Sequence, residues 1–138
     1  MTNGAVLVTT GQQVSLNDVR KEINFYRKTR VPIVGVVENM RQLKCIKCGH
    51  CNPLFNVAKG QPLQTMLDDY KIELLGGLTF SPKLLQISEA GQALFLDELQ
   101  ENEICEGMED PSDPDVILRE EIKKEFEVIF DKVVAKMK

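Results

Sequence analysis

The run Cys45-Ile46-Lys47-Cys48-Gly49-His50-Cys51 brings three thiols into seven residues, a spacing at which they can reach one metal centre from one side. Three chemistries use such spacing. A redox dithiol needs one cysteine of a pair at a helix N-terminus in a thioredoxin-like setting, and this run follows the wrong kind of strand. Structural zinc needs four ligands from one subunit, and His50 and Cys105 are the residues able to supply the fourth. His50 is adjacent to Cys51, which makes convergence on one ion awkward, so a surface histidine without a ligand role is the plainer reading. A cluster shared between subunits solves the ligand count, because two cysteines from each of two chains give the four thiolates of a [4Fe-4S] cluster. Spacing alone leaves zinc and iron-sulfur level. Cys105 reads as a surface thiol with no assigned role.

The elements that must position this run are legible on either side of it. Ala5-Val6-Leu7-Val8-Thr9 is a continuous apolar run, the pattern of a strand covered on both faces, and a turn through Gly11 follows it. Ser15, with Asp18 three residues later, predicts a helix N-cap, and Leu16, Val19, Ile23 and Tyr26 recur at helical spacing up to about Thr29. Val31 to Val37 is the next buried strand and runs on to Glu38-Asn39-Met40. Strand, helix and strand in so short a span predict a right-handed parallel crossover, hence an α/β fold with a parallel sheet and flanking helices.

Beyond Met40 the cysteine loop is expected to reach Phe55. A short helix is predicted over 61–70, then a strand over 72–80 broken at Gly76-Gly77. Pro82 suits the first turn of a helix reaching about Ala90, with Leu84, Leu85 and Ile87 apolar. Ser112 or Asp113 can cap a long amphipathic helix carrying Leu118, Ile122, Phe126, Ile129 and Val133 on one stripe, which is expected to pack on the sheet.

With 138 residues, 43% hydrophobic and 28% charged, the chain suits one compact domain and is neither disordered nor fibrous in composition. The apolar runs at 5–8 and 31–37 fall far short of a membrane span, and no secretory signal is visible, so no membrane partner is expected. Four cysteines without export features read as reduced thiols or ligands, and a cytoplasmic location follows as the expectation. The net charge of −4 is unevenly spread: residues 97–115 hold nine acids and no Lys or Arg, whereas residues 1–96 carry a net +4. Arg20, Lys21, Arg27, Lys28 and Arg30 suit a nucleotide phosphate or an acidic partner, but a solvated helix face is the plainer reading. Aromatics are scattered at 6%, which gives no platform for nucleic acid.

No Gly-rich loop ending in Lys-Ser or Lys-Thr occurs, nor a dinucleotide fingerprint. What does occur is a longer pattern. Val14-Ser15-Leu16-Asn17-Asp18-Val19-Arg20-Lys21, then Val31-Pro32-Ile33-Val34-Gly35-Val36-Val37-Glu38-Asn39-Met40, then the cysteines and Phe55, closely resemble the C-terminal half of Mrp-type ATPases. These are scaffold proteins of cytosolic iron-sulfur cluster assembly, relatives of the MinD and ParA deviant P-loop ATPases. The resemblance covers about Gly4 to Gly91, and the third cysteine is similar to that of the smaller eukaryotic cytosolic scaffold subunit.

The resemblance implies specific roles. Cys45 and Cys48 match the pair that bridges a labile [4Fe-4S] cluster across a homodimer, or a heterodimer with a related scaffold ATPase, and Cys51 matches an extra cysteine of that subtype. Asn39 matches the asparagine that reads the adenine base, an amide offering both donor and acceptor to the purine edge; the alternative for it is a turn residue at the strand end. The implied function is assembly and transfer of the cluster to cytosolic and nuclear apoproteins, with iron-sulfur target and transfer proteins as partners. A zinc-stabilised, non-catalytic binding module is the alternative from outside the family, and a regulatory ATPase with incidental cysteines is a third.

Departures from the pattern are Ile46 for the usual Pro, Thr9-Thr10-Gly11 for Thr-Thr-Pro, a Gly-rich stretch reduced to Gly60, and Thr79-Phe80-Ser81-Pro82 for Pro-x-Asp-Pro. The family's phosphate-binding loop and switch regions lie before residue 1, so ATP and Mg binding is in doubt here, no catalytic residue is assigned, and hydrolysis by this polypeptide alone is not expected. The first strand would then lack its upstream neighbours, leaving an apolar edge and a fragment of marginal stability. The resulting division is a partial P-loop NTPase-like α/β domain over 1–96, an acidic linker or loop over 97–115, and a C-terminal amphipathic helix over 116–138 packing on the same domain.

Overall fold

The computed structural model describes residues 4–45, 48–55, 62–91 and 114–137. Two apolar runs become parallel neighbours: β1 (Ala5–Thr9) pairs with β2 (Ile33–Lys44), with Leu7 beside Val36 and Val8 beside Val37. The crossover between them is α1 (Gln13–Thr29). Parallel strands need such a return path, and the helix packs its Leu16, Val19 and Ile23 stripe back onto the sheet.

On the opposite edge of β2 runs β4 (Leu74–Phe80), also parallel. The far end of β2 pairs antiparallel with the short β3 (Cys51–Pro53). Because residues 42 and 43 of β2 pair with both β3 and β4, β3 must lie on the same side of β2 as β1. Thus β2 is the spine of the sheet. Further helices are α2 (Pro62–Tyr70), α3 (Pro82–Glu89) and α4 (Pro114–Met137).

One face of the sheet holds Leu7 and Val36 beneath α1 and the Leu63, Met66 and Leu67 side of α2, all nearly fully buried. The other face is covered over β4 and β2 by α4, which buries Leu118 and Ile122. A glycine makes that approach possible, since a Cβ at Gly76 would stand 2.6 Å from Ile129 Cγ1; Gly35 instead makes room for Leu75 of the neighbouring strand, whose Cγ would stand 2.6 Å from a Cβ there. Phe126 of the expected stripe is instead exposed at 37%.

Three local expectations are corrected. Helix α1 begins at Gln13, capped from Gln12 without a side-chain bond, so Ser15 is inside the helix; its hydroxyl accepts from Thr10 Oγ1 at 2.9 Å instead. The second strand does not give way to a loop at Met40, because β3 and the end of β4 flank it as far as Lys44. Gly76-Gly77 does not break β4; the pair is kept small by Ile129 on one residue and by Arg41, whose Cδ would be 2.5 Å from a Cβ, on the other. The expected caps Ser112 and Asp113, Gly60, residues 97–113 of the acidic stretch with Cys105, and the side chains of Leu84 and Ile87 lie outside the described residues, while Pro114 and Asp115 of that stretch already belong to α4.

Candidate metal centre

The cysteines sit on a hairpin that grows out of the sheet. Strand β2 leaves the core after Val37, and between Glu38 and Gln42 it takes four steps where β4, from Gly77 to Thr79, takes two. The surplus residues form a bulge, with Met40 in the left-handed region at φ 55° and its N–H donating to Asn39 Oδ1 at 2.9 Å. Past the bulge, Leu43 pairs with Asn52 and Lys44 with Cys51. The turn is closed by Cys45 N–H donating to the His50 carbonyl at 2.9 Å and Gly49 N–H donating to the Cys45 carbonyl at 2.8 Å. Gly49 has φ 69°, a conformation that costs a side-chain-bearing residue more than glycine.

This places Cys45 half-buried at the start of the turn and Cys48 and Cys51 exposed, none of them in a disulfide. The Cys51 thiol points at the Gly49 carbonyl at 3.9 Å. His50 closes the turn through its backbone, and its side chain is exposed. Among the described residues no group of three or more His, Cys, Asp or Glu side chains is gathered closely enough to hold a metal ion. The donor set is soft, thiol-rich and open to solvent, which fits thiophilic metal or an iron-sulfur cluster better than a hard cation.

Asn39 is half-buried on the same strand. It lies on β2, six positions before Cys45, whereas the thiols lie past the end of that strand, Cys45 and Cys48 in the turn and Cys51 on β3. Beside Asn39, Glu38 is largely shielded, with 17% of its side chain exposed, and lies 3.7 Å from Arg41 Nε. Burial raises its carboxyl above the usual range, and Arg41 offsets part of that rise. The Glu38 carboxylate and Phe55 also fill the space that a side chain at Gly11 would need, 3.2 and 3.4 Å from its Cβ position.

Sequence reading missed the polar residues that fix the hairpin root. Lys44 Nζ donates to both Glu121 oxygens of α4, at 2.5 and 2.6 Å. Glu125, one turn on, accepts the Thr79 N–H at 2.8 Å and the Thr79 hydroxyl at 2.7 Å, and Gln42 Nε2 donates to that hydroxyl at 3.1 Å. These partners are 37 to 77 residues apart, so no local spacing signals them.

Comparison with known proteins gives this hairpin a context. The chain is 45% identical over 93 residues to the cytosolic Fe-S cluster assembly factor NUBP1 homolog of Caenorhabditis elegans, covering 67% of this chain and 29% of that protein. The Nubp1 homolog of Drosophila grimshawi is 44% identical over 88 residues, 64% of this chain and 28% of that protein. For the Nubp2 homolog of Anopheles gambiae the identity is 39% over 92 residues, 67% and 34% of the two chains. This chain therefore spans about a third of the length of these relatives. Among solved structures, a nucleotide-binding protein from Archaeoglobus fulgidus, in complex with ADP and with Co found by PIXE, superposes with a TM-score of 0.54 at 30% identity, over 75% of this chain and 42% of that one. The family model of ParA-type NUBPL iron-transfer P-loop NTPases matches residues 1–111. With its parallel sheet, its crossover helix and its thiol hairpin at the end of β2, the chain belongs to that family.

Proposed function

We propose that this chain carries the cluster-holding part of an iron-sulfur assembly scaffold. Cys45 and Cys48 from each of two chains, two copies or one copy and a related scaffold ATPase, hold a [4Fe-4S] cluster that is passed to cytosolic and nuclear apoproteins. The observation that carries this reading is the exposed thiol hairpin whose own described residues gather no complete ligand set. An open set is completed by a second chain, and exposure lets an incoming thiol reach the cluster. In each transfer step an iron–sulfur bond to Cys45 or Cys48 breaks as one to the acceptor forms, the acceptor's proton passing to the departing thiolate. Cys51 stands beside the pair as a spare donor during that exchange. Asn39 reads an adenine base through its NH2 end, its carbonyl oxygen being engaged by Met40 N–H. The cytosolic names of the relatives support a cytoplasmic site of action.

Anaerobic reconstitution with iron and sulfide tests the reading. Coloured protein with about four iron per two chains is expected. Cys45→Ser and Cys48→Ser each lose both the colour and the cluster-dependent dimer, and Cys51→Ser keeps both. Colourless protein that retains stoichiometric zinc overturns the proposal in favour of a zinc-stabilised module.

A further inference from the structure

Helix α4 lies beyond residues 1–111 that match the family, yet it supplies the polar contacts at the root of the cysteine hairpin. Glu121 and Glu125 stand one helical turn apart on one side of α4. Glu121 grips Lys44, the residue immediately before Cys45, with both carboxylate oxygens. Glu125 takes both donors of Thr79, and Thr79 in turn holds Gln42, which pairs with Pro53 on the returning strand. The β2 strand of the hairpin is thus tied, directly and through β4, to one helix whose Leu118 and Ile122 are anchored in the core, and β3 is held through its pairing with β2.

The need for such ties follows from the hairpin itself. Beyond Glu38 it has left the packed region, β3 is three residues long with all three exposed, and the bulge at Met40 interrupts the β2–β4 ladder that leads to it. Strand β4 accompanies β2 only as far as Leu43, so the Lys44–Cys51 pair and the turn beyond it stand on two strands, which are not stable by themselves in water at that length. Lys44 is 21% exposed and Glu121 44%, so their pairing is partly shielded and has charge-assisted geometry on both oxygens.

The geometry points to α4 as the brace of the cysteine hairpin, with Glu121 and Glu125 as positioning residues for the thiols through Lys44 and through Thr79–Gln42. Neither carboxylate is a ligand. Their action on metal binding rests on the cysteine reading above, whereas the bracing itself does not.

The experiment uses the full chain with Lys44→Glu, Glu121→Lys, the double exchange of charges, and Glu125→Gln as an independent variant. Amide hydrogen exchange is measured without metal, and Co(II) binding is followed by thiolate–cobalt absorption. Each single charge reversal is expected to speed exchange at Cys45, Gly49 and Leu54 by roughly 3- to 10-fold, leave Val19 and Ile23 of α1 unchanged, and weaken Co(II) binding in step. The double variant returns both readouts to within about twofold of the parent, because the pair is restored with its sign inverted. Glu125→Gln leaves Thr79 one acceptor for two donors and raises hairpin exchange with Lys44–Glu121 intact. Unaltered hairpin exchange in the single variants, a rise shared equally by α1, or no recovery in the double variant overturns the brace. Parent protein that gives no thiolate–cobalt absorption counts against the metal reading of the cysteines, and the exchange result still decides the brace.

Discussion

Glu38 shows how one carboxylate can work against the fold it sits in. Desolvation raises its pKa above the ordinary 4.5, and the smaller influence of Arg41, which lowers it, offsets only part of that rise. A carboxyl whose folded value is raised binds its proton more tightly in the native state. Its contribution is therefore fully favourable below pH 4.5 and is lost as the pH climbs through the raised value. Glu38→Gln is accordingly expected to raise the melting temperature at pH 7 and to bring no gain near pH 4, as thermal scans at both values would register. The Arg41 pair sacrificed by that change is long at 3.7 Å and 57% exposed on the Arg41 side, so it counts for little. An unchanged or lowered melting temperature at pH 7 would show that the carboxylate is needed where it stands.

At the scale of elements, the approach of α4 to the sheet depends on the missing side chain of Gly76. Gly76→Ala would drive a Cβ to 2.6 Å from Ile129 Cγ1, deep between helix and strand. A loss of about 1–3 kcal/mol is expected in chemical denaturation, and Ile129→Ala in the same chain should recover part of it, since the clash is with that side chain. An additive double variant would place the strain elsewhere. The elements also separate what could be read in advance from what could not. β1, α1 and the first half of β2 were legible because strands covered on both faces leave unbroken apolar runs and the helix between them leaves a stripe. The outer half of β2 was not, because Met40-Arg41-Gln42-Leu43-Lys44 mixes polar and apolar residues around a bulge that changes the alternation. β3 is Cys-Asn-Pro, which carries no strand pattern of its own. The thiols were found by type and spacing; the acids that brace them were not, because α4 meets them in space and not in sequence.

Across the whole molecule, the sheet is covered unevenly. Among the described residues β1 has a single partner strand, and on the α4 side of the sheet Val6 and Val8 are 38% and 59% exposed. With Phe25, 60% exposed on α1, they border a shallow open groove of about 400 Å³ along the β1 edge. Exposed apolar strands with an open ladder invite pairing. Concentration-dependent association through this edge is expected in sedimentation velocity, and Val8→Lys should reduce it while leaving the hairpin thiols equally reactive toward alkylation. Association that persists unchanged in Val8→Lys would move the contact to another surface. The described helices include none long and apolar enough to cross a membrane.

The Lys44–Glu121 tie has a consequence in time as well as in space. Its two ends are separated by 77 residues, so a ribosome adding about 5–20 residues per second finishes Glu121 roughly 4–15 s after Lys44. During translation the thiols are made well before the helix that steadies them. A nascent chain meeting metal in that interval would offer it a looser set of donors than the finished protein does.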